Sequence, residues 1–508
     1  MTSDPAWFQT GVFYEVAVHS FQDSTGDGFG DLAGLTSRLD HLASLGITAI
    51  WMLPVMPSPM RDGGYDVTDM TGIRADYGTV EDMSTLISEA HGRGIRVIID
   101  FVVNHTSDQH PWFTSALDPG SDKHDWYVWS DSAEKYLDAR VIFTDTHDSN
   151  WTWNERAGAY YWHRFFDHQP DLNFENAGVR AAVEDSIRFW LDLGIDGLRL
   201  DAVPYLFEKE GTNCENLPAT HSYLKELRAI VDNEYPEAIL LAEANQWPND
   251  LLPYFGNGDE CHMAFHFPLM PRMFLALAQQ DVTPITWAME QTPALPEGTA
   301  WAMFLRNHDE LTLEMVDQQE RDVLNATYAP DPAMRKNIGI RRRLAPLLGG
   351  DRRKIELMNA VLFAMPGTPV IYYGDEIGMG DEYLLDDRDG VRTPMQWDAT
   401  ATAGWSDADP DDFYLPVVQM GGYAPTQVNA ENQATDPDSL LTFMKSIIEK
   451  RRSTPDLSHA PYEPLASGDT RVLAFARGAV TVIANFSDED VQTPWGPLEP
   501  FGWRWLGA

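Results

Sequence analysis

Cysteine is nearly absent from this 508-residue chain: Cys214 and Cys261 are its only two, in neither a metal-binding nor a redox spacing. A disulfide framework is thereby excluded. Positive charge is also scarce. The chain has 36 Lys and Arg against 78 Asp and Glu, for a formal net charge of −42, and only eight of the basic residues are lysine. Nucleic acid and anionic membranes are disfavoured as partners. Acid excess with little lysine suits a halophilic protein, since concentrated salt screens the self-repulsion; an ordinary acidic enzyme is the alternative. No apolar run approaches 18 residues, so no membrane span is expected. The opening MTSDPAWFQTGVFYEV lacks a basic stretch followed by an apolar one, and a reducing cytoplasm is the expected location.

Aromatic residues, by contrast, are plentiful: 17 Trp, 18 Tyr and 23 Phe. Most should pack in cores, and some suit sugar-stacking surfaces. Short β-type runs alternate with helical stretches from the start. Runs at 11–18, 47–53, 95–103, 197–201, 238–244, 263–267, 302–305 and 369–373 read as eight strands, the sixth with the weakest pattern. Eight strands alternating with helices predict an α/β fold, a closed (β/α)₈ TIM barrel. The rhythm breaks at 105–167, which is too long for an ordinary connection and too aromatic for a linker. It reads as a domain inserted after strand three. The barrel should occupy 1–104 and 168–397. Residues 398–508 should hold a linker and a C-terminal β-sandwich domain.

Barrel active sites gather where strands end. Strand two leads to Asp62 and Tyr65, strand three to Asn104-His105, strand four to Arg199 and Asp201. Strand five leads to Glu243, and strand seven to Asn307-His308-Asp309. In GIDGLRLDA (194–202), Arg199 and Asp201 are two apart on a strand and share a side. Alone, that pair could equally be structural. Together the strand ends supply three carboxylates with separable roles. A guanidinium beside Asp201 keeps it ionised and able to attack a sugar carbon. Glu243 follows the apolar run ILLA, where desolvation should keep it protonated as general acid. Asp309 would stabilise the positively charged transition state. His105 and His308 suit hydrogen bonding to ring hydroxyls.

The motifs DFVVNH (100–105), QPDLN (169–173), GLRLDA (197–202), LAEA (241–244) and FLRNHDE (304–310) resemble those of the α-amylase family of glycoside hydrolases. The resemblance spans nearly the whole chain. It implies retaining chemistry, with Asp201 as nucleophile, Glu243 as acid/base and Asp309 as stabiliser. Longer stretches, EKEGTNCENLPATH (208–221), GDECHMAFHFPLMPRMF (258–274) and DRDGVRTPMQW (387–397), resemble the branch of that family that isomerises maltose to trehalose. Its substrates would be these small disaccharides. A hydrolytic α-glucosidase or amylase is the catalytic alternative, and a non-catalytic binder on the same barrel is the other class. Arg388 and Arg392 match arginines that close the sugar pocket in related enzymes. Whether the chain forms a homo-oligomer is open.

DSTGDGFGD (23–31) alternates oxygen ligands in a glycine-rich loop, which suits a hard cation. It resembles the family's calcium loop, with Asp23, Thr25, Asp27, the Phe29 carbonyl and Asp31 as ligands. Thr25 stands where Asn is usual, which leaves Mg²⁺ as an alternative to Ca²⁺. A second, structural Ca²⁺ site implied by the resemblance maps to Asn104, Asp171, the Tyr205 and Leu206 carbonyls, and Glu208.

Overall fold

The computed structural model describes residues 7–508; the predicted first segment's residues 1–6 lie outside it. Eight strands close into a parallel barrel: β1 Phe13–Val16, β2 Ala49–Met52, β3 Arg96–Val102, β4 Gly197–Asp201, β5 Ile239–Ala242, β6 Met263–Phe265, β7 Ala300–Phe304 and β8 Thr368–Tyr372. Each pairs with its sequence neighbours, and β1 pairs with β8 to close the ring. Most are shorter than the apolar runs that predict them, because the flanking residues bend out of the ladder while staying buried. β4 alone begins and ends where the pattern places it. Strands wrapped by helices read as near-continuous apolar runs, and β2, β5 and β7 are buried along their whole length.

The helices show why the alternation is readable. Val80–Gly92 starts at a capping box made by Thr79 and Asp82. Ala177–Leu193 ends at Gly194, whose φ of 106° closes the helix before β4. The single helix expected over 32–45 is two, Leu32–Ser37 and Leu39–Leu45, broken at Arg38. The second stops at Gly46, with φ 94°. A Cβ there would meet Ile448 at 2.8 Å, on the helix Leu440–Arg452.

Between β3 and β4 the chain builds a small antiparallel sheet from Trp129–Ser130, Trp151–Asn154 and Ala159–Trp162. Val128, Ala139, Trp151 and Trp162 form a core of their own there, joined by Cys214 from the loop after β4. One short helix, Pro111–Ala116, is too brief to leave a period in the sequence. In the C-terminal region two antiparallel sheets pack on a shared core of Val472, Ala474, Ile483, Val491 and Leu498. The region is one four-stranded antiparallel sheet of Tyr462–Pro464, Val472–Arg477, Val480–Asn485 and Trp503–Leu506, with a separate hairpin of Val491–Thr493 and Gly496–Leu498. Both cysteines are free and buried. Among the described residues no helix is long and apolar enough to cross a membrane.

Candidate active site

Register brings the carboxylates together. Leu200 of β4 lies opposite Ala242 of β5, so Asp201 and Glu243 follow at one level. Val102 of β3 pairs with Asp201 on the other side. The next residue, Ala202, adopts a left-handed backbone with φ 54°, which costs of order 1 kcal/mol for a residue with a Cβ. Its amide N–H donates to Glu243 Oε2 at 3.0 Å.

Arg199 is the hub beneath these groups. Its Nη1 donates to Asp201 Oδ1 at 2.5 Å and Asp100 Oδ1 at 2.8 Å, and its Nη2 pairs with Glu243 Oε1 at 3.0 Å. The guanidinium also sits 5.4 Å from the Trp51 ring and 5.7 Å from the Tyr65 ring. Burial pushes Asp201 up to about 6, although Arg199 pulls it down. Arg199 therefore holds Asp201 ionised less firmly than the sequence suggests, because burial at this depth outweighs one shared cation. Burial pushes Glu243 higher, to about 8; Arg199 opposes this, while Asp201 and Asp309 add to it. The two carboxyls are thus separated in the order a nucleophile and a general acid need.

Asp309 is treated in the opposite way. Burial would raise it, but the His308, Arg388, Arg392 and Arg199 groups together hold it well below the usual carboxylate range. Arg388 Nη1 donates to Asp309 Oδ1 at 2.8 Å and Arg392 Nη2 to the same oxygen at 3.3 Å. Arg388 Nη2 also pairs with Asp62, whose other oxygen accepts from Gln169 at 2.9 Å. His308, kept neutral by burial, places Nε2 3.2 Å from Asp309 Oδ2 and 2.7 Å from the Tyr65 hydroxyl.

The cavity is tight, about 120 Å³. Asp201, Glu243, Asp309, Asp62, Tyr65, His105, His308 and Arg388 all line it. Arg392, expected to close the sugar pocket, and Arg199 do not line it and lie behind the carboxylates, each 1% exposed. His105 is neutral through burial and places Nε2 3.2 Å from the Tyr65 carbonyl.

Several residues escape sequence reasoning. Glu15, inside β1, meets His308 Nδ1 at 2.5 Å. Asp100 accepts from the Tyr65 hydroxyl at 2.7 Å; it opens the motif DFVVNH, and that was its only signal. Beside Glu314, which lines the cavity, Arg140 pairs with Glu215 at 2.8 Å and with Glu314 at 3.0 Å. Arg164 and Gln246 also bind Glu215, and Asn245 donates to Glu314 at 3.0 Å. This cluster joins the inserted segment to the loops after β4, β5 and β7. Each residue alone looks like ordinary surface charge.

The two expected cation sites differ. In the loop at 23–31, Asp23 accepts from the backbone N–H groups of Thr25, Gly26 and Gly28 and from the Ser406 hydroxyl. Asp31 accepts from Ser24 and Gly34, and Asp27 from Phe29 N–H. That loop is satisfied internally. At the second site the buried atoms Asn104 Oδ1, Asp171 Oδ2 and Glu208 Oε1 have no hydrogen-bond partner. Burial pushes Asp171 up to about 8, and it lifts Glu208 well above its ordinary value, with Asp171 adding to the effect. Oxygen acceptors facing inward without donors suit a hard cation. Among the described residues no group of three or more His, Cys, Asp or Glu side chains forms a metal cluster; this site's other donors are an amide and, by expectation, the Tyr205 and Leu206 carbonyls.

A closed parallel barrel with three carboxylates at the ends of β4, β5 and β7 defines a class of sugar-processing enzymes. The Alpha-amylase profile (alpha amylase, catalytic domain) matches residues 16–328 and 341–460, and the chain belongs to this family. The trehalose synthase/amylase TreS of Mycobacterium tuberculosis (strain CDC 1551 / Oshkosh) is 55% identical over 482 residues, spanning 94% of this chain and 80% of that protein. The trehalose synthase of Pimelobacter sp. is 54% identical over 484 residues, 93% of this chain and 84% of that one. Among solved structures, an isomaltulose synthase of Erwinia rhapontici NX5 in complex with D-glucose superposes with a TM-score of 0.81 at 26% identity, covering 99% of each chain.

Proposed function

We propose that this protein is a retaining glucosyltransferase that interconverts maltose and trehalose, with minor hydrolysis to glucose. The observation that carries this reading is the pairing of a three-carboxylate centre with a small cavity whose lining reaches Glu314, which the ion pairs of Arg140 tie to Glu215 and the inserted segment. Asp201 attacks the anomeric carbon while Glu243 protonates the linkage oxygen, giving a β-glucosyl-enzyme and a freed glucose. Asp309, ionised by its arginines, stabilises the positive charge on the ring. Glu243, now a base, activates the anomeric hydroxyl of the same glucose after it turns over. Trehalose forms only if glucose stays and water is kept out, and that is the task assigned to the loops joined by this ion cluster. Asp62, Tyr65, His105, His308 and Arg388 hold the glucosyl unit, with Arg199 and Arg392 fixing the carboxylates from behind.

A divalent cation at Asn104, Asp171, Glu208 and the Tyr205 and Leu206 carbonyls would tie the inserted segment to the barrel. It would neutralise two buried carboxylates and take no part in the reaction. Ca²⁺ is the ion proposed there. At Asp23, Thr25, Asp27, Phe29 and Asp31 the proposal of Ca²⁺ or Mg²⁺ has only the loop pattern behind it. The acidic surface supports adaptation to salt, and two buried free thiols suit a reducing cytoplasm.

Incubation with maltose, with trehalose and glucose resolved, tests the function. Trehalose should be the main product. Glucose with little trehalose would make the protein an α-glucosidase instead.

A further inference from the structure

A second cavity, of about 420 Å³, lies at the face of the barrel opposite the carboxylates, and its size is within the range of small-molecule sites. Ala300, which opens β7, and Gly367, just before β8, line it from the barrel. His459, Tyr462 and Arg477 line it from the C-terminal region. We propose that this junction binds an organic oxyanion, a phosphate or carboxylate carried on an apolar body.

Uncompensated positive charge is what sets the junction apart. Arg477 and Arg451 are 1% and 0% exposed. Among the described residues no carboxylate acts on Arg451, and only Asp456, beyond ion-pair distance, acts on Arg477. Their partners are backbone carbonyls. Arg451 donates to Phe363 and Gly367 at 2.5 Å each, and Arg477 to Ala460 at 2.8 Å and Ala364 at 2.7 Å. Phe363 and Ala364 follow the helix Arg352–Leu362. A helix C-terminus carries roughly half a negative charge, against two full positive ones here. Burial pushes Arg451 down to about 9, with Arg477 adding to the effect, and Arg477 down to about 10. A buried cation without a counter-ion is costly.

The unspent donor belongs to the cavity. Arg477 uses Nε and Nη1 on the carbonyls, and its Nη2 has no partner among the described residues. The Arg451 Nε is sealed inside the protein; the Arg477 Nη2 is not. A guanidinium N–H donates strongly to an oxyanion, and Ser458 and His459 add a hydroxyl and an imidazole to the lining. Pro293, Leu295 and Tyr462 give it apolar walls, which suit a ligand with an apolar body. The nearest acids are not available to Arg477: Asp456 accepts from the Ala479 amide at 2.7 Å, and Glu290 is exposed. On a chain with 78 acidic residues against 36 basic ones, two buried guanidiniums without a carboxylate mark a place left for an outside anion. The site is independent of the isomerase reading, because binding is measured without turnover.

Isothermal titration calorimetry on the full chain, with ionic strength held constant by chloride, provides the test. The probes are phenyl phosphate, benzoate and phenol. Phenyl phosphate or benzoate should bind one to one, and the tighter of the two identifies the head group; phenol, which lacks the charge, should give no binding. Arg477→Gln should weaken the tighter probe at least about tenfold, the scale of one charged hydrogen bond. Ala294→Glu changes an exposed residue of the lining. It supplies the cavity with its own carboxylate and should abolish binding while leaving the bonds of both guanidiniums in place. Its maltose turnover should stay within about twofold of the parent, which shows that the fold is kept. No binding of either aromatic anion, or equal binding of phenol, would overturn the proposal. So would undiminished binding in Arg477→Gln, or in Ala294→Glu should Arg477→Gln fail to fold.

Discussion

Two groups of buried carboxylates, one of them with Glu208 only seven residues from the other's Asp201, are handled in opposite ways. Asp201, Glu243 and Asp309 each face a guanidinium: Arg199 serves the first two, and Arg388 with Arg392 serves the third. Asp171 and Glu208 leave a buried oxygen each with no donor, next to the bare Asn104 oxygen. Buried charge is costly unless paired. The first group meets that cost with fixed protein cations and keeps its outer faces open to the cavity. Among the described residues the second has no cation within ion-pair distance, only the more remote Arg164, and a bound cation is the simplest way to meet it. The difference separates a site built to react from a site built to hold two segments together.

The largest test of the contrast is loss of the nucleophile. Asp201→Asn should cut kcat for maltose by about 10⁴-fold while leaving the fold intact, because the amide still accepts from Arg199. A loss under tenfold would return Asp201 to the structural reading of its strand end. Next is Arg388→Ala, which removes the closest donor to Asp309 and also frees Asp62. It should lower kcat/KM by about 10²-fold and also lower the melting temperature, because two buried carboxylates lose a paired cation.

The donor-free group should respond to a chelator instead. If a cation is held at a hundredfold excess over its Kd, removing it costs about 2.7 kcal/mol. The melting temperature should fall and recover with Ca²⁺. Asp171→Asn should make the protein indifferent to the chelator, and the same drop in that variant would move the cation elsewhere.

The pH profile sharpens the comparison within the catalytic group. Asp201 must be ionised, so activity should fall as pH drops below about 6; Glu243 must be protonated, so it should fall as pH rises above about 8. The two limbs are apparent values of the coupled pair. Glu243→Gln should abolish the alkaline limb. Arg140→Ala gives the smallest effect, since Arg140 is partly exposed and solvent weakens its pairs. It should raise the glucose share of product about two- to fivefold, the scale of an exposed pair.

These contrasts were unevenly legible in the sequence. The barrel and the three carboxylates were readable because apolar strand runs end in polar residues, whose side chains alternate along an extended strand. Arg199 and Asp201 share a side for the same reason. Which of them faces substrate was not readable: Arg199 and Arg392 lie behind the carboxylates, a matter of depth that spacing does not encode. Glu15 was hidden inside an apolar strand. The cluster of Arg140, Glu215 and Glu314 was hidden because its members come from three loops that meet only in the folded chain. In the C-terminal region the alternation of 472–485 gave the strands but not their grouping into a four-stranded sheet and a hairpin packed on it.

The central claim is that Asp201 carries the glucosyl unit. Rapid quenching of the enzyme with a slowly hydrolysed activated glucoside, followed by mass spectrometry of the peptide spanning 194–202, tests it most directly. A single glucosyl unit on Asp201, absent in Asp201→Asn, is the predicted result. A glucosyl unit on another residue, or turnover with no adduct at any quench time, would contradict it.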